Sequence, residues 1–183
     1  VKILCTADLH LGRRPSAKVP ADLDLDLDAM GPRAAWQDVV DVALERRVDA
    51  VLIAGDLVDE DDDLYEAFGA LRSGAARLEE ARIPILAVAG NHDGRALPRL
   101  VAALDNVTML GRNGTWERTT LEGADGLRLD VVGWSMPARH HDTSPLATYP
   151  WFDKERPTVG LLHADLDVSG GRYAPVSSSE LRS

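Results

Sequence analysis

Carboxylate, imidazole and carboxamide side chains stand at four places where an apolar run ends: Asp8-Leu9-His10, Gly55-Asp56, Gly90-Asn91-His92-Asp93 and Leu162-His163. These donor types hold divalent cations. Oxygen and nitrogen without thiolate suit Mn²⁺, Fe²⁺, Zn²⁺ or Mg²⁺ better than a soft metal. Asp8 and His10 are two apart, so on extended backbone their side chains point to one side and reach one cation. Asp56 carries two oxygens, one for each of two ions, while Asn91 offers a carbonyl oxygen and His163 an imidazole nitrogen. Two ions about 3.5–4 Å apart activate a water between them and neutralise charge on a phosphoryl group. His92 follows Asn91 and points away from it on extended backbone, where it can protonate a leaving oxygen or hold a phosphate oxygen. Asp93 or another carboxylate would orient its ring. Taken alone, an Asp-x-His, a Gly-Asp turn or one core histidine is ordinary. Four such motifs in this order are not.

The runs that deliver them, residues 2–7, 50–54, 84–89 and 158–161, read as buried strands. Between them lie helical patterns at 32–47, 64–82 and 97–104, the first with Ala35, Trp36, Val39, Val40, Ala43 and Leu44 as an apolar stripe. The order β-α-β-α-β-α predicts a largely parallel sheet with right-handed crossovers. In such a sheet, side chains at the carboxyl ends of strands line a common crevice, so distant motifs can meet there. Residues 107–110, 115–121 and 127–134 read as short strands in antiparallel hairpins, with Gly123 and Gly126 marking a turn. Residues 11–28 and 136–156 read as loops, and Glu180-Leu181 after serine as a helix start.

The chain has 183 residues, enough for one domain with a sizeable core, and the expected organisation is one domain over 1–183. Its net charge of −10 argues against a broadly cationic surface that neutralises nucleic-acid phosphates. Much of the acidity lies in the alternating run 22–28 and in 59–63, read as exposed segments rather than calcium loops. Cys5 is the only cysteine and reads as a small core residue, which excludes an internal disulfide. No apolar run is long enough to cross a bilayer, and no leader pattern is visible, so a cytoplasmic protein with no membrane contact is expected.

The four motifs resemble those of the calcineurin-like metallophosphoesterases. The stretches Ala7-Asp8-Leu9-His10-Leu11-Gly12-Arg13, Ala54-Gly55-Asp56-Leu57-Val58-Asp59 and Gly160-Leu161-Leu162-His163-Ala164-Asp165, with Tyr173-Ala174-Pro175, are similar to the DNA-repair exonuclease branch with its SbcD-type nuclease subunits. The resemblance implies an α/β fold, a sandwich of two mostly mixed β-sheets flanked by helices (α-β-β-α). It implies that Asp8, His10 and Asp56 hold a first ion, that Asp56, Asn91 and His163 hold a second, and that His92 is the catalytic histidine, with Asp93 beside it. The implied cofactors are two divalent ions, Mn²⁺ first among them, and the implied reaction is phosphodiester hydrolysis. The implied partners are DNA or another phosphodiester and a coiled-coil ATPase. Arg13 and Arg14 could contact phosphate.

The pattern departs from the family in one place. A Gly-His-x-His element, expected a few tens of residues beyond His163, does not occur before Ser183, and His140-His141 lack its spacing and read as surface residues. The domain is therefore expected to be incomplete after the strand carrying His163, and this chain alone to be a weak or inactive hydrolase. Three readings follow: a DNA exonuclease-like phosphodiesterase, a nucleotide or cyclic-nucleotide phosphodiesterase or phosphatase of the same fold, and a non-catalytic interaction scaffold with an incomplete metal site.

Overall fold

The structure, a computed structural model, describes residues 1–13, 30–59, 64–150 and 156–182. Arg14, the alternating acidic run and residues 60–63 lie outside the described residues. The elements run β1 (Ile3–Thr6), α1 (Pro32–Arg46), β2 (Ala50–Ala54), α2 (Leu64–Glu80), β3 (Ile85–Val88), α3 (Leu97–Val101), β4 (Val107–Met109), β5 (Trp116–Glu122), β6 (Arg128–Trp134) and β7 (Thr158–Leu162).

Four strands form a parallel sheet in the order β1-β2-β3-β4, and three form a mixed sheet in the order β5-β6-β7. In the second sheet β5 and β6 are antiparallel, while β7 joins β6 in parallel. The expected antiparallel hairpins are thus correct for β5 and β6 only. β4 is a parallel member of the first sheet, with Ile85 opposite Val107. A three-residue strand has too little pattern for its partner to be read from sequence; α3, which turns the chain back alongside β3, decides it.

Period-two alternation sorts the first sheet's side chains between two cores. Val51 and Ile53 of β2, and Ile85 and Ala87 of β3, pack with Trp36 and Val40 of α1, Leu71 and Leu78 of α2 and Leu97 of α3. Ala50, Leu52, Leu86 and Val88 face the other way and meet Leu121, Val131 and Leu161 of the second sheet. That a continuous apolar run serves both faces is why β2 and β3 read as unbroken hydrophobic stretches. At the α1–α2 crossing, Trp36 Nε1 donates to the Ala70 carbonyl at 3.1 Å.

β1 and β7 depart from the expectation of buried strands. β1 is an edge strand of the first sheet, half-exposed along its length, and Cys5 is exposed rather than in the core. β7 is the edge of the second sheet and only Leu161 is buried. Edge position overrides apolar composition here, because only one side of the strand has a neighbour. Ser177 and Glu180 form the reciprocal capping pair expected of a helix start: Ser177 N donates to Glu180 Oε2 at 2.8 Å and Glu180 N to Ser177 Oγ at 3.2 Å. The capped segment is a 3₁₀ turn, Glu180–Arg182. No helix among the described residues is long and apolar enough to cross a membrane.

Candidate metal centre

All four motifs lie where strands of the two sheets end on the same rim. The segments after β1 and β2 leave side by side: Asp8 N donates to Gly55 O (3.2 Å), His10 N to Asp56 O (3.0 Å), Leu11 N to Leu57 O (2.8 Å) and Asp59 N to Leu11 O (3.2 Å). Leu9, Leu11, Leu57 and Val58 are buried beneath this ladder, so alternate residues anchor it and leave the polar side chains above. Asp8, His10 and Asp56 adopt left-handed backbone (φ 55, 49 and 51). Aspartate, asparagine and histidine tolerate that region better than other non-glycine residues. The expected same-side placement of Asp8 and His10 on extended chain is therefore not how they converge. Tight left-handed turns bring them together.

The third motif presses directly on the second. A Cβ at Gly90 would meet Asp56 Oδ1 and lie 2.8 Å from Asp56 Cγ, so glycine permits the approach. His92 N donates to Asp56 Oδ1 at 3.0 Å. Asp93 is fully buried and clamps the two loops, accepting from Gly90 N and Leu57 N, each at 2.8 Å. Burial above all, and then the charge of Asp56, push its carboxyl up to about 6 against the pull of those N–H donors. Asp93 therefore does not orient the His92 ring. That ring is set by the Asp59 backbone carbonyl, 2.7 Å from Nδ1. A carbonyl only accepts, so Nδ1 carries the proton and Nε2 is left for other work. The Gly90–Asp93 segment is a bend rather than extended chain, and Asn91 in it is half-buried with no side-chain hydrogen bond among the described residues.

His163, at the end of β7, is positioned in the same manner. Its Nδ1 donates to the Ala54 carbonyl at 3.0 Å. Nε2 then faces Asp56 Oδ2 at 3.4 Å. A neutral imidazole lone pair and a carboxylate oxygen confronting each other repel unless a cation or a proton lies between them. Carbonyl-oriented histidine is the arrangement that metal-binding histidines adopt. Asp8, Asp56 and His163 each offer a donor atom within 4.8 Å of the others, and so do His10, Asp59 and His92. The two triads adjoin: His10 Nε2 is 3.9 Å from Asp8 Oδ1, and the His10 and His92 rings meet edge to face at 5.0 Å. His10 Nδ1 lies 2.8 Å from Asp59 Oδ1 yet makes no aligned hydrogen bond, leaving a buried nitrogen unsatisfied. Repelling lone pairs and an orphaned nitrogen, among oxygen and nitrogen donors only, fit a divalent cation pair.

Five expected ligands, Asp8, His10, Asp56, Asn91 and His163, thus share the rim with His92. Arg13 is exposed and follows this ladder. Asp59 escapes sequence reasoning because it opens an acidic run; its place three residues after Asp56 is the available signal. Ser135 escapes it too. Fully buried behind the third motif, it accepts from Ala89 N at 2.9 Å and donates to Leu110 O at 2.5 Å, tying the ends of β3 and β4 to the second sheet. His140 is exposed and stacks on Tyr173, and His141 lies against Trp134, so neither substitutes for a ligand.

The chain is similar to known proteins. Over its whole length the chain is 38% identical to the DNA double-strand break repair protein Mre11 of Aeropyrum pernix, covering 46% of that protein. Over 81% of its length it is 29% identical to the uncharacterised metallophosphoesterase YhaO of Bacillus subtilis, covering 37% of it. The chain therefore spans less than half the length of these curated relatives. Among solved structures, TT1561 of Thermus thermophilus matches with a TM-score of 0.49 at 17% identity, over 92% of this chain and 69% of that one. The calcineurin-like phosphoesterase family model matches residues 1–176, and the chain belongs to that family.

Proposed function

We propose that this chain carries the dinuclear centre of a Mn²⁺-supported phosphodiester hydrolase of the DNA exonuclease type. The observation that carries the proposal is the confrontation of His163 Nε2 with Asp56 Oδ2 at 3.4 Å, both held there by backbone hydrogen bonds. Asp8, His10 and Asp56 would hold one cation, and Asp56, Asn91 and His163 the other, with Asp59 beside His10. When bound, two such ions supply an activated water and neutralise phosphoryl charge.

The chain's own residues do the rest. Asp93 fixes the distance between the second and third motifs, so that Asp56 and His92 keep their relation. The Asp59 carbonyl holds the His92 ring with Nε2 outward, where the imidazolium form, protonated on both nitrogens, would give its Nε2 proton to a leaving oxygen or a hydrogen bond to a phosphate oxygen, and the neutral form would keep only the Nδ1 proton. Arg13, exposed just past the first motif, would meet the anionic substrate. The likeness to the DNA-repair branch extends the proposal to a coiled-coil ATPase partner. A nucleotide or cyclic-nucleotide substrate is the second reading, favoured by the net charge of −10, which repels long polyanions.

The test is calorimetric titration of the metal-free chain with Mn²⁺, followed by Mn²⁺-dependent cleavage of a small aryl diester, single-stranded DNA and a cyclic nucleotide. Saturable Mn²⁺ binding, lost in Asp56→Asn, is expected. Binding unaffected by Asp56→Asn would overturn the metal assignment. No binding at all would return the chain to the scaffold reading.

A further inference from the structure

One patch of the rim belongs to neither triad. The segment after β6 and the segment after β7 run alongside each other: His141 N donates to Arg172 O at 2.9 Å and Ala174 N to His141 O at 2.7 Å. This pairing sets Arg139-His140 next to Arg172-Tyr173. The His140 ring stacks on Tyr173, with centroids 5.6 Å apart and planes 24° from parallel. Beneath them, His141 lies against the buried Trp134 at 5.1 Å, and Tyr173 packs against a small core of Trp134, Met136 and Ala174. Arg139, His140 and Arg172 are exposed. Neither guanidinium has an ion pair or hydrogen bond among the described residues. On a chain of net charge −10, two arginines with no partner among the described residues, flanking a stacked ring pair, need a reason.

The patch is fixed to the metal centre from both sides. Met136 N donates to the Ala89 carbonyl at 3.1 Å, one residue before Gly90. Asp165, two residues after His163, donates its N–H to the Tyr173 carbonyl at 2.8 Å and accepts from Tyr173 N at 3.4 Å. Asp165 is thereby turned to backbone, and Asp142 is the only acidic side chain in the 139–142 stretch. The patch is thus tied to the segments that carry the third motif and His163.

We propose that Arg139, His140, Arg172 and Tyr173 form a binding strip for single-stranded nucleic acid. The outer face of the His140–Tyr173 stack would take one base and the two arginines the phosphates beside it. This deepens the proposed function, on which it rests for the direction of the strand. Rings supply sequence-tolerant stacking and guanidinium groups track the backbone, the pairing that single-strand binders use. It also answers the difficulty posed by the acidic surface: the positive charge needed is local.

The experiment is fluorescence anisotropy of a labelled oligothymidylate with the chain in EDTA, at several salt concentrations, so that no metal or hydrolysis enters. Saturable binding is expected. In Arg139→Ser/Arg172→Ser, which removes two phosphate contacts, the slope of log K against log salt should fall in magnitude by about 1.4, since each contact on a single strand contributes about 0.7. His140→Ala should weaken binding about tenfold, and His140→Phe, which keeps the stack, should restore it. Tyr173 is left intact because it packs against the core. Parent-like affinity in His140→Ala or an unchanged salt slope in the arginine variant would overturn the strip, as would failure of the parent to bind. Mn²⁺ titration separates this from the metal reading. All variants should bind Mn²⁺ like the parent, and a parent that binds oligothymidylate but not Mn²⁺ would sink the hydrolase while sparing the strip.

Discussion

Replacing Gly55 by alanine tests whether the rim is as tightly built as its geometry implies. Gly55 has φ +88, and a Cβ there would lie 2.6 Å from His163 Cβ and 2.9 Å from its Nδ1. A left-handed alanine costs about 1–2 kcal/mol. The clash adds about 1–3 kcal/mol, because the atom met is the root of a side chain on a strand end and not a flexible tip. If His163 moves enough to lose its bond to the Ala54 carbonyl, about 1 kcal/mol more is lost. The expected total is about 3–6 kcal/mol. Gly126 is the control: φ is +76 and a Cβ there meets nothing within 4 Å, so only the conformational cost applies. Urea unfolding of both variants in EDTA should place Gly55→Ala at least about 2 kcal/mol below Gly126→Ala, the difference being overpacking. Mn²⁺ titration should then show affinity reduced about 10–100-fold in Gly55→Ala, the range for disturbing a ligand's support, and unchanged in Gly126→Ala. Equal stability losses would refute the close approach of His163 to the second motif. A large stability loss with parent-like Mn²⁺ affinity would refute His163 as a ligand.

Further outcomes rest on the same contacts. Asp93→Ala leaves the Gly90 and Leu57 N–H groups buried and unpaired, and should cost about 2–5 kcal/mol in denaturant unfolding; a loss under about 1 kcal/mol would show that the clamp is not needed. Asp56→Asn keeps an acceptor for His92 N, so the fold should persist while Mn²⁺ affinity falls by more than about a hundredfold, beyond the loss from an outer partner. Asp130, in the second sheet, has its carboxyl held below the usual range, first by the Thr120 hydroxyl at 2.7 Å and then by Arg156 and Arg118. A carboxyl with a depressed folded pKa stabilises above its unfolded value of about 3.9 and loses that contribution as pH falls through the folded value. Acid unfolding of Asp130→Asn should therefore show a shallower decline below about pH 4 than the parent, and superimposable curves would count against the cluster.

The elements carrying the site are legible in the sequence because each satisfies two constraints at once. β2 and β3 are apolar enough for two buried faces and stop at a glycine that the next loop requires, so Gly55-Asp56 and Gly90-Asn91 mark both strand end and site. The route of convergence is not legible. Strand alternation puts Asp8 and His10 on a shared side, whereas positive φ at both does it in the structure, and dihedral sign leaves no trace in spacing. Asp93 leaves its expected part beside the His92 ring for a related reason. Which group meets the ring depends on the fold of a four-residue bend, here set by buried N–H donors that take the Asp93 carboxyl and leave the ring to the Asp59 backbone carbonyl. Cys5 departs from its expected place in the core because apolar composition does not distinguish an edge strand from a central one.

The first sheet's strands stand side by side in the order they are synthesised, with the connecting helices packed on a single face. Chains begin to fold from the N-terminus as they leave the ribosome, at roughly 5–20 residues per second. Once Leu110 has emerged, Asp8, Asp56, Asn91 and His92 can already sit on the first sheet's part of the rim, without His163, yet Leu52, Leu86 and Val88 remain wet until Val131 and Leu161 arrive to cover them. For those seconds the nascent molecule displays a greasy, strand-lined underside. Newborn copies crowded on one messenger are then most prone to stick to each other, and a chaperone or early cation capture would protect them most.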